Sequence, residues 1–266
     1  MNVYQEIVDF YKNYAGEKRV IGTSCEGRQL FAFFVGKHEG PIGISQYAIH
    51  AREWVTAYLA LEHIGRGVPR GGVWFVPLVN PDGALLSEIG AETASFERRE
   101  FLNRFGSDFS LWKANAEGVD LNVNFPARWG TGRGNVRFPA PQGYIGQIPL
   151  CAPESRALAE FTLEIKPQFT LSWHTKGEEI YWRFHQKRLL RDKRLANILR
   201  KSTGYPLKNA PHSAGGYKDW CIEKLSVPAF TIEVGSDKFT HPLGKNTVWG
   251  IFSRCGAAIE DFTKGF

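Results

Sequence analysis

A chain of 266 residues, 43% hydrophobic and 14% aromatic, is long enough to bury a sizeable core and reads as an ordinary globular protein rather than a disordered or fibrous one. No apolar run approaches the ~20 residues of a membrane span. The net charge of +6, from 33 Lys plus Arg against 27 Asp plus Glu, fits a solvated basic surface or attraction to an acidic substrate; with no basic helix and no interleaved aromatic-basic motif, nucleic acid is not an expected partner.

In chain order, residues 1–10 carry acids and lack both a basic start and an apolar stretch, so they do not read as a secretory signal. No propeptide-sized segment precedes the first predicted strand. Strands are expected at 20–23 and 30–35, joined by a turn at 24–28, and at 42–49. A helix is expected at 55–64, closed by Gly65 and Gly67 with Pro69 beyond. Residues 73–79 form a continuous apolar run, as in a strand buried on both faces, and Asn80-Pro-Asp-Gly83 reads as a turn. After a mixed stretch, residues 130–149 are rich in Gly and Pro and predict a long surface loop, of a length that is usually functional or mobile. Helices are expected at 153–165, 187–202, 217–224 and 248–262, and strands at 169–173 and 229–234. Strands alternating with helices imply a single α/β domain over 1–266, with a largely parallel or mixed sheet covered on both faces. The four cysteines (Cys25, Cys151, Cys221, Cys255) show no short ligand spacing and predict reduced thiols in a reducing cytoplasm.

The candidate chemistry lies at predicted strand ends, where α/β sheets usually keep it. His50 ends an apolar run and Glu53 follows three positions later; His174 ends a second run. Two histidines and a carboxylate with a fourth position open are the composition of a catalytic zinc site. The plainer readings are a surface His–Glu pair and a packed strand-end histidine. Glu233 interrupts the apolar run 229–234, where a charge is costly unless paired or at a wet mouth. It is either a buried ion pair with an arginine or a general base beside the metal.

Eight segments make a resemblance specific. They are Ile21-Gly-Thr-Ser-Cys-Glu-Gly-Arg28, His50-Ala-Arg-Glu-Trp54, Val76-Pro-Leu-Val-Asn-Pro-Asp-Gly83, Gly118-Val-Asp-Leu-Asn122, Gly143-Tyr-Ile-Gly-Gln-Ile-Pro149, Ser172-Trp-His174, Gly215-Gly-Tyr-Lys-Asp-Trp220 and Thr231-Ile-Glu-Val-Gly235. In this order the chain resembles the carboxypeptidase A-like zinc carboxypeptidases over nearly its whole length. The resemblance implies a mixed, roughly eight-stranded twisted sheet with flanking helices, and one zinc ion held by His50, Glu53 and His174. It also implies Glu233 as the catalytic glutamate and Arg52 as the substrate-guiding arginine.

The departures from that family are as informative. Where C-terminal carboxypeptidases have Asn-Arg, this chain has Asn122-Val123, and Val cannot offer the bidentate donors that carboxylate recognition wants. The substrate-covering tyrosine has no match; Asn209-Ala-Pro-His212 occupies its region. The oxyanion-stabilising arginine falls on Lys113, and the base of the specificity pocket on Lys218, a cation suited to a side-chain carboxylate. These features, with the segments Asn122-Val-Asn-Phe-Pro126 and His174-Thr-Lys176-Gly-Glu-Glu179-Ile-Tyr-Trp182, resemble the bacterial γ-D-glutamyl-meso-diaminopimelate peptidases. The resemblance therefore implies a peptidoglycan stem peptide as substrate, and Asn122, Lys176, His212 and Lys218 as substrate-binding residues; with no apolar run long enough to span a bilayer, no membrane partner is expected. Glu178 or Glu179 would answer the substrate amine. The alternatives are a C-terminal exopeptidase whose clamp has moved to Arg128, Arg133 or Arg137, and a non-catalytic zinc protein that binds cell-wall peptides.

Overall fold

The computed structural model describes residues 1–266. Its elements are α1 (Val3–Asn13), β1 (Lys18–Thr23), β2 (Gln29–Gly36), β3 (Ile42–Tyr47), α2 (Val55–Arg66), β4 (Gly72–Val76), α3 (Pro81–Glu88), α4 (Phe96–Leu102), α5 (Pro153–Ile165), β5 (Phe169–Thr175), β6 (Glu179–Arg183), α6 (Leu189–Thr203), β7 (Leu207–Asn209), α7 (Tyr217–Leu225), β8 (Ala229–Val234), α8 (Val248–Cys255) and α9 (Ala258–Gly265). One eight-stranded sheet joins all the strands in the order β1-β2-β4-β3-β5-β8-β6-β7. The centre, β4-β3-β5-β8, is parallel, while β1, β2 and β6 join by antiparallel pairing. This is the mixed sheet expected from the sequence.

Alternation along the strands makes two cores. On β2, Phe31 and Phe33 enter one core while Ala32 and Phe34 enter the other, as the two-residue period of a strand requires. The first core is covered by α1, α2, α6, α8 and α9 and the second by α5 and α7, so helices lie on both faces. A third, smaller cluster packs Leu86, Leu102, Phe109 and Trp112 around Ala51. No helix is long and apolar enough to cross a membrane.

Four expectations need correction. Asn80-Pro-Asp-Gly83 is not a turn but the start of α3: the Asn80 side chain accepts the Gly83 amide and Pro81 takes the first helical position, a signature that turns and helix N-termini share. The strands expected to end at 49 and 79 stop at Tyr47 and Val76. At the first of these, Ala48 turns to a φ of +50° and gives its amide to Thr56 Oγ1 (2.8 Å). The helix expected over 248–262 is two helices, α8 and α9. Finally β6 and β7, only five and three residues long, were not expected.

Candidate active site

The carboxyl ends of β3, β5 and β8 converge on one spot. Beyond β3 the chain makes a 3-10 turn, Ala51–Glu53, that carries His50 and Glu53 together. The turn is held from outside by the Ala51 amide on the Lys113 carbonyl (3.1 Å) and the Arg52 amide on the Trp112 carbonyl (2.9 Å), which also sets Lys113 beside the site. On β5, His174 stands in register with Glu233 of β8, and Glu233 faces Glu179 of β6.

Three donor atoms meet at the centre. His50 Nδ1 lies 2.9 Å from Glu53 Oε1, and His174 Nδ1 lies 2.9 Å from Glu53 Oε2 and 3.1 Å from His50 Nδ1. All three residues are buried. A tetrahedral ion with bonds of about 2.0–2.1 Å separates its ligands by about 3.3 Å, so the donors stand near the spacing one zinc ion needs. If each Nδ1 carried a proton to one Glu53 oxygen, two N–H groups would face each other at 3.1 Å; a shared cation removes that conflict. Behind them, Asp120 Oδ1 lies 3.6 Å from His50 Nε2, while its Oδ2 accepts the Gly143 amide (2.9 Å). A carboxylate behind a ligating histidine is the usual second support of a metal site. Gly143 is required there: its φ is +77°, and a Cβ would lie 2.3 Å from the Gly134 carbonyl oxygen.

The local fields agree with this arrangement. Burial pushes the Glu53 carboxyl up, but the two histidines outweigh it and hold Glu53 well below the usual range. Asp120 is lowered in the same way, by the hydrogen bond and charge of His50 against its burial. Glu233 goes the other way. Burial, helped by Glu53 and Glu179 and opposed by His174 and Lys113, raises it to about 7, a value suited to taking and returning a proton near neutrality. A second group of potential ligands, Cys25, Asp82 and Glu154, is already engaged. Asp82 holds Arg28 (2.7 Å) and the Glu26 amide (2.9 Å), Glu154 holds the Cys25 amide and Asn115 (3.1 Å each), and burial raises the Cys25 thiol far from thiolate.

His50, Glu53 and Glu233 line a cavity of about 330 Å³, together with Arg52, Lys113 and Lys176. The Arg52 Nε is buried without a partner, and Lys176 pairs with Asp237 (3.4 Å). Lys113 also lines a second cavity of about 320 Å³, with Asp120, Val123 and His212. Two expected substrate contacts are used elsewhere. The Asn122 side chain accepts the Tyr217 amide (3.1 Å), tying its loop to the start of α7. Lys218 is buried and pairs with Asp219, which caps α7 by accepting from Ser213 (3.0 Å) and Gly216 (3.4 Å). Lys218 therefore neutralises a buried carboxylate and does not line either cavity; removing it would strand that charge, at a cost of about 3–5 kcal/mol.

Sequence reasoning did not single out Asp120, although it lies in the quoted segment 118–122, nor Tyr181, Asp237 and His241 on the metal cavity. Tyr181 donates to Glu179 from the unexpected strand β6. Its signal was an aromatic–acid pair five to seven residues after His174. The loop 130–149 is tied down by Asp120, by Asn124 on Ile145 O (2.8 Å) and by Trp129 on the same carbonyl (2.9 Å), and it supplies one wall of the second cavity.

Comparison with known proteins gives a consistent result. The sequence model of the zinc carboxypeptidases matches residues 4–245. Gamma-D-glutamyl-L-diamino acid endopeptidase 1 of Lysinibacillus sphaericus is 33% identical over 244 residues, which cover 84% of this chain and 61% of the relative. The chain thus spans less than two thirds of that relative's length. Among solved structures, carboxypeptidase A from Helicoverpa armigera aligns with a TM-score of 0.76 and 19% identity, over 98% of this chain and 71% of its own. The murein-tripeptide amidase MpaA from Escherichia coli O157 aligns with a TM-score of 0.65 and 21% identity, over 94% and 93%. Both likenesses are of fold.

Proposed function

The chain belongs to the zinc carboxypeptidase family, and from that premise we propose that it hydrolyses an amide bond in peptidoglycan stem peptides, the bond between γ-D-glutamate and a diamino acid. The observation that carries the reading is the meeting of His50, Glu53 and His174 at 2.9–3.1 Å, with Glu233 on the same cavity. The substrate class is supported by the endopeptidase relative and by Val123, which lines the second cavity without the donors a terminal-carboxylate clamp needs.

Zinc held by His50, Glu53 and His174 would supply Lewis acidity, making water nucleophilic near neutral pH. The rest is done by the chain. Glu233 takes the proton of the attacking water and delivers it to the leaving nitrogen, within the reach of one cavity. Lys113 and Arg52, neither held in an ion pair, face the same space and stabilise charge developing on the carbonyl oxygen. Asp120 holds the His50 ring in its ligating orientation. Lys176 and His212 stand on the walls as substrate contacts. The four cysteines are unbridged, which supports a reducing compartment for this chemistry.

The test is mass spectrometry of defined tri- and tetrapeptide stems digested by the zinc-loaded protein, beside a hippuryl-amino acid. Cleavage between γ-D-glutamate and the diamino acid is expected. Hydrolysis of the hippuryl substrate alone would establish a C-terminal exopeptidase instead. Stoichiometric zinc with no hydrolysis would leave a non-catalytic binding protein.

A further inference from the structure

The second cavity runs outward from the metal site. Its inner end is Lys113, shared with the metal cavity, with Asp120 and Val123. Its outer end, Arg133 with His212, Ser213 and Ala214, is shared with a further cavity of about 200 Å³.

Charge at the outer end is unbalanced. Of the three arginines around the long loop, Arg128 is paired with Glu223 (3.1 Å), and Arg137 lies over the Trp129 ring (5.4 Å) with a bond to the Gly130 carbonyl (3.4 Å). The Arg133 side chain has no such partner, yet its backbone is fixed by its amide on the His212 carbonyl (3.2 Å). The one acid on this cavity, Asp120, is occupied by His50 and the amides of Asn122 and Gly143. Lys218, the cation expected at the pocket base, is neutralised by Asp219. A free guanidinium fork with no free acid on the same cavity suits a carboxylate.

We propose that Arg133 binds the carboxylate at the far end of the leaving residue's side chain, the main chain of that residue lying at the inner end of the cavity. The site then selects a diamino acid of the diaminopimelate kind over lysine, which has the amine but no distal carboxylate. The inference rests on the stem-peptide reading above and adds to it the residue that reads the side chain.

The test compares Arg133→Gln and Arg133→Lys with the unaltered protein on γ-D-glutamyl-meso-diaminopimelate and γ-D-glutamyl-L-lysine peptides. Arg133→Gln should lower kcat/KM on the diaminopimelate peptide about 10- to 100-fold, mainly through KM, as loss of a charged hydrogen-bond pair predicts. The lysine peptide should be unaffected, and Arg133→Lys should recover part of the loss. Equal losses on both peptides, or none on either, would overturn the assignment. If the unaltered protein cleaves neither peptide, the function reading fails separately. Calorimetric binding of free meso-diaminopimelate and of L-lysine to the zinc-loaded protein then decides. A loss confined to diaminopimelate in Arg133→Gln supports the assignment, and anything else rejects it. Melting curves confirm that this exposed loop substitution leaves the fold intact.

Discussion

Replacing Asp120 by Asn separates a metal-supporting carboxylate from a loop anchor. The substitution keeps the volume and removes one charge beside His50. At 3.6 Å, a full unit-charge pair at an effective dielectric of ~20 is worth about 4.6 kcal/mol. The His50 ring carries only part of a unit charge when its other nitrogen holds a metal. A third to a half of that figure, about 1.5–2.3 kcal/mol, is therefore the expected loss, or a ~10- to 50-fold weaker zinc affinity. The amide cannot escape by rotating. One Asp120 oxygen accepts the Asn122 amide and faces His50, and the other accepts the Gly143 amide, so either orientation of the new NH2 group meets a donor. The assay is chelator competition for zinc near neutral pH, with thermal melting of the metal-free protein alongside. An unchanged zinc affinity with a lowered melting point would refute the reasoning, because Asp120 would then serve only the loop.

Three further outcomes are expected. Glu233→Gln should lower kcat by about 10²–10⁴, the usual range for a general acid–base group, while zinc affinity by the same competition assay stays near that of the unaltered protein. Chelation should abolish hydrolysis reversibly, and zinc at about 1,000 times its Kd should stabilise the fold by about 4 kcal/mol, read as a rise in the denaturant midpoint. Burial and the charge of Asp82 raise Glu154 from the ordinary 4.5 to about 7 against the donors Cys25 and Asn115. The folded chain then holds that proton where the unfolded chain has lost it, so stability should fall as pH rises from about 4.5 to about 7, by at most about 3 kcal/mol at 1.36 kcal/mol per pH unit. Because Glu233 is raised over the same window, the fall of the urea midpoint with pH should become shallower in Glu154→Gln and not vanish; an equal slope in both proteins would remove Glu154 as a cause.

What could be read from residue order was what strands dictate. His50, His174 and Glu233 each sit at or beside the end of an apolar run, and once β3, β5 and β8 pair in parallel the register brings them together. Glu53 follows from a three-residue step on a turn. The walls of the site were less legible, because distant loops build them. Arg133 and His212 meet through a backbone hydrogen bond between segments 79 residues apart, which no local pattern signals. The surroundings of Lys218 were illegible for a related reason: its partner is the adjacent Asp219, and only the folded helix start shows that this carboxylate is buried and pairs with a cation. The turn expected at 80–83 failed differently, since Asn followed by Pro serves a helix start as well as a turn.

The departures from the family pattern fall where the fold can absorb them. The metal donors and Glu233 lie on β5, on β8 or on the turn that closes β3. A strand-borne group cannot be moved by one residue without turning its whole face from one core to the other. With Phe, Trp and Tyr side chains buried on both faces, such a shift would expose much of the core. Val123, Arg133, His212 and Lys113 lie outside the strands, on segments held by isolated hydrogen bonds such as Asp120 to Gly143 and Arg133 to His212. A cation can be lost at 123 and another presented at 133 with no strand re-registered.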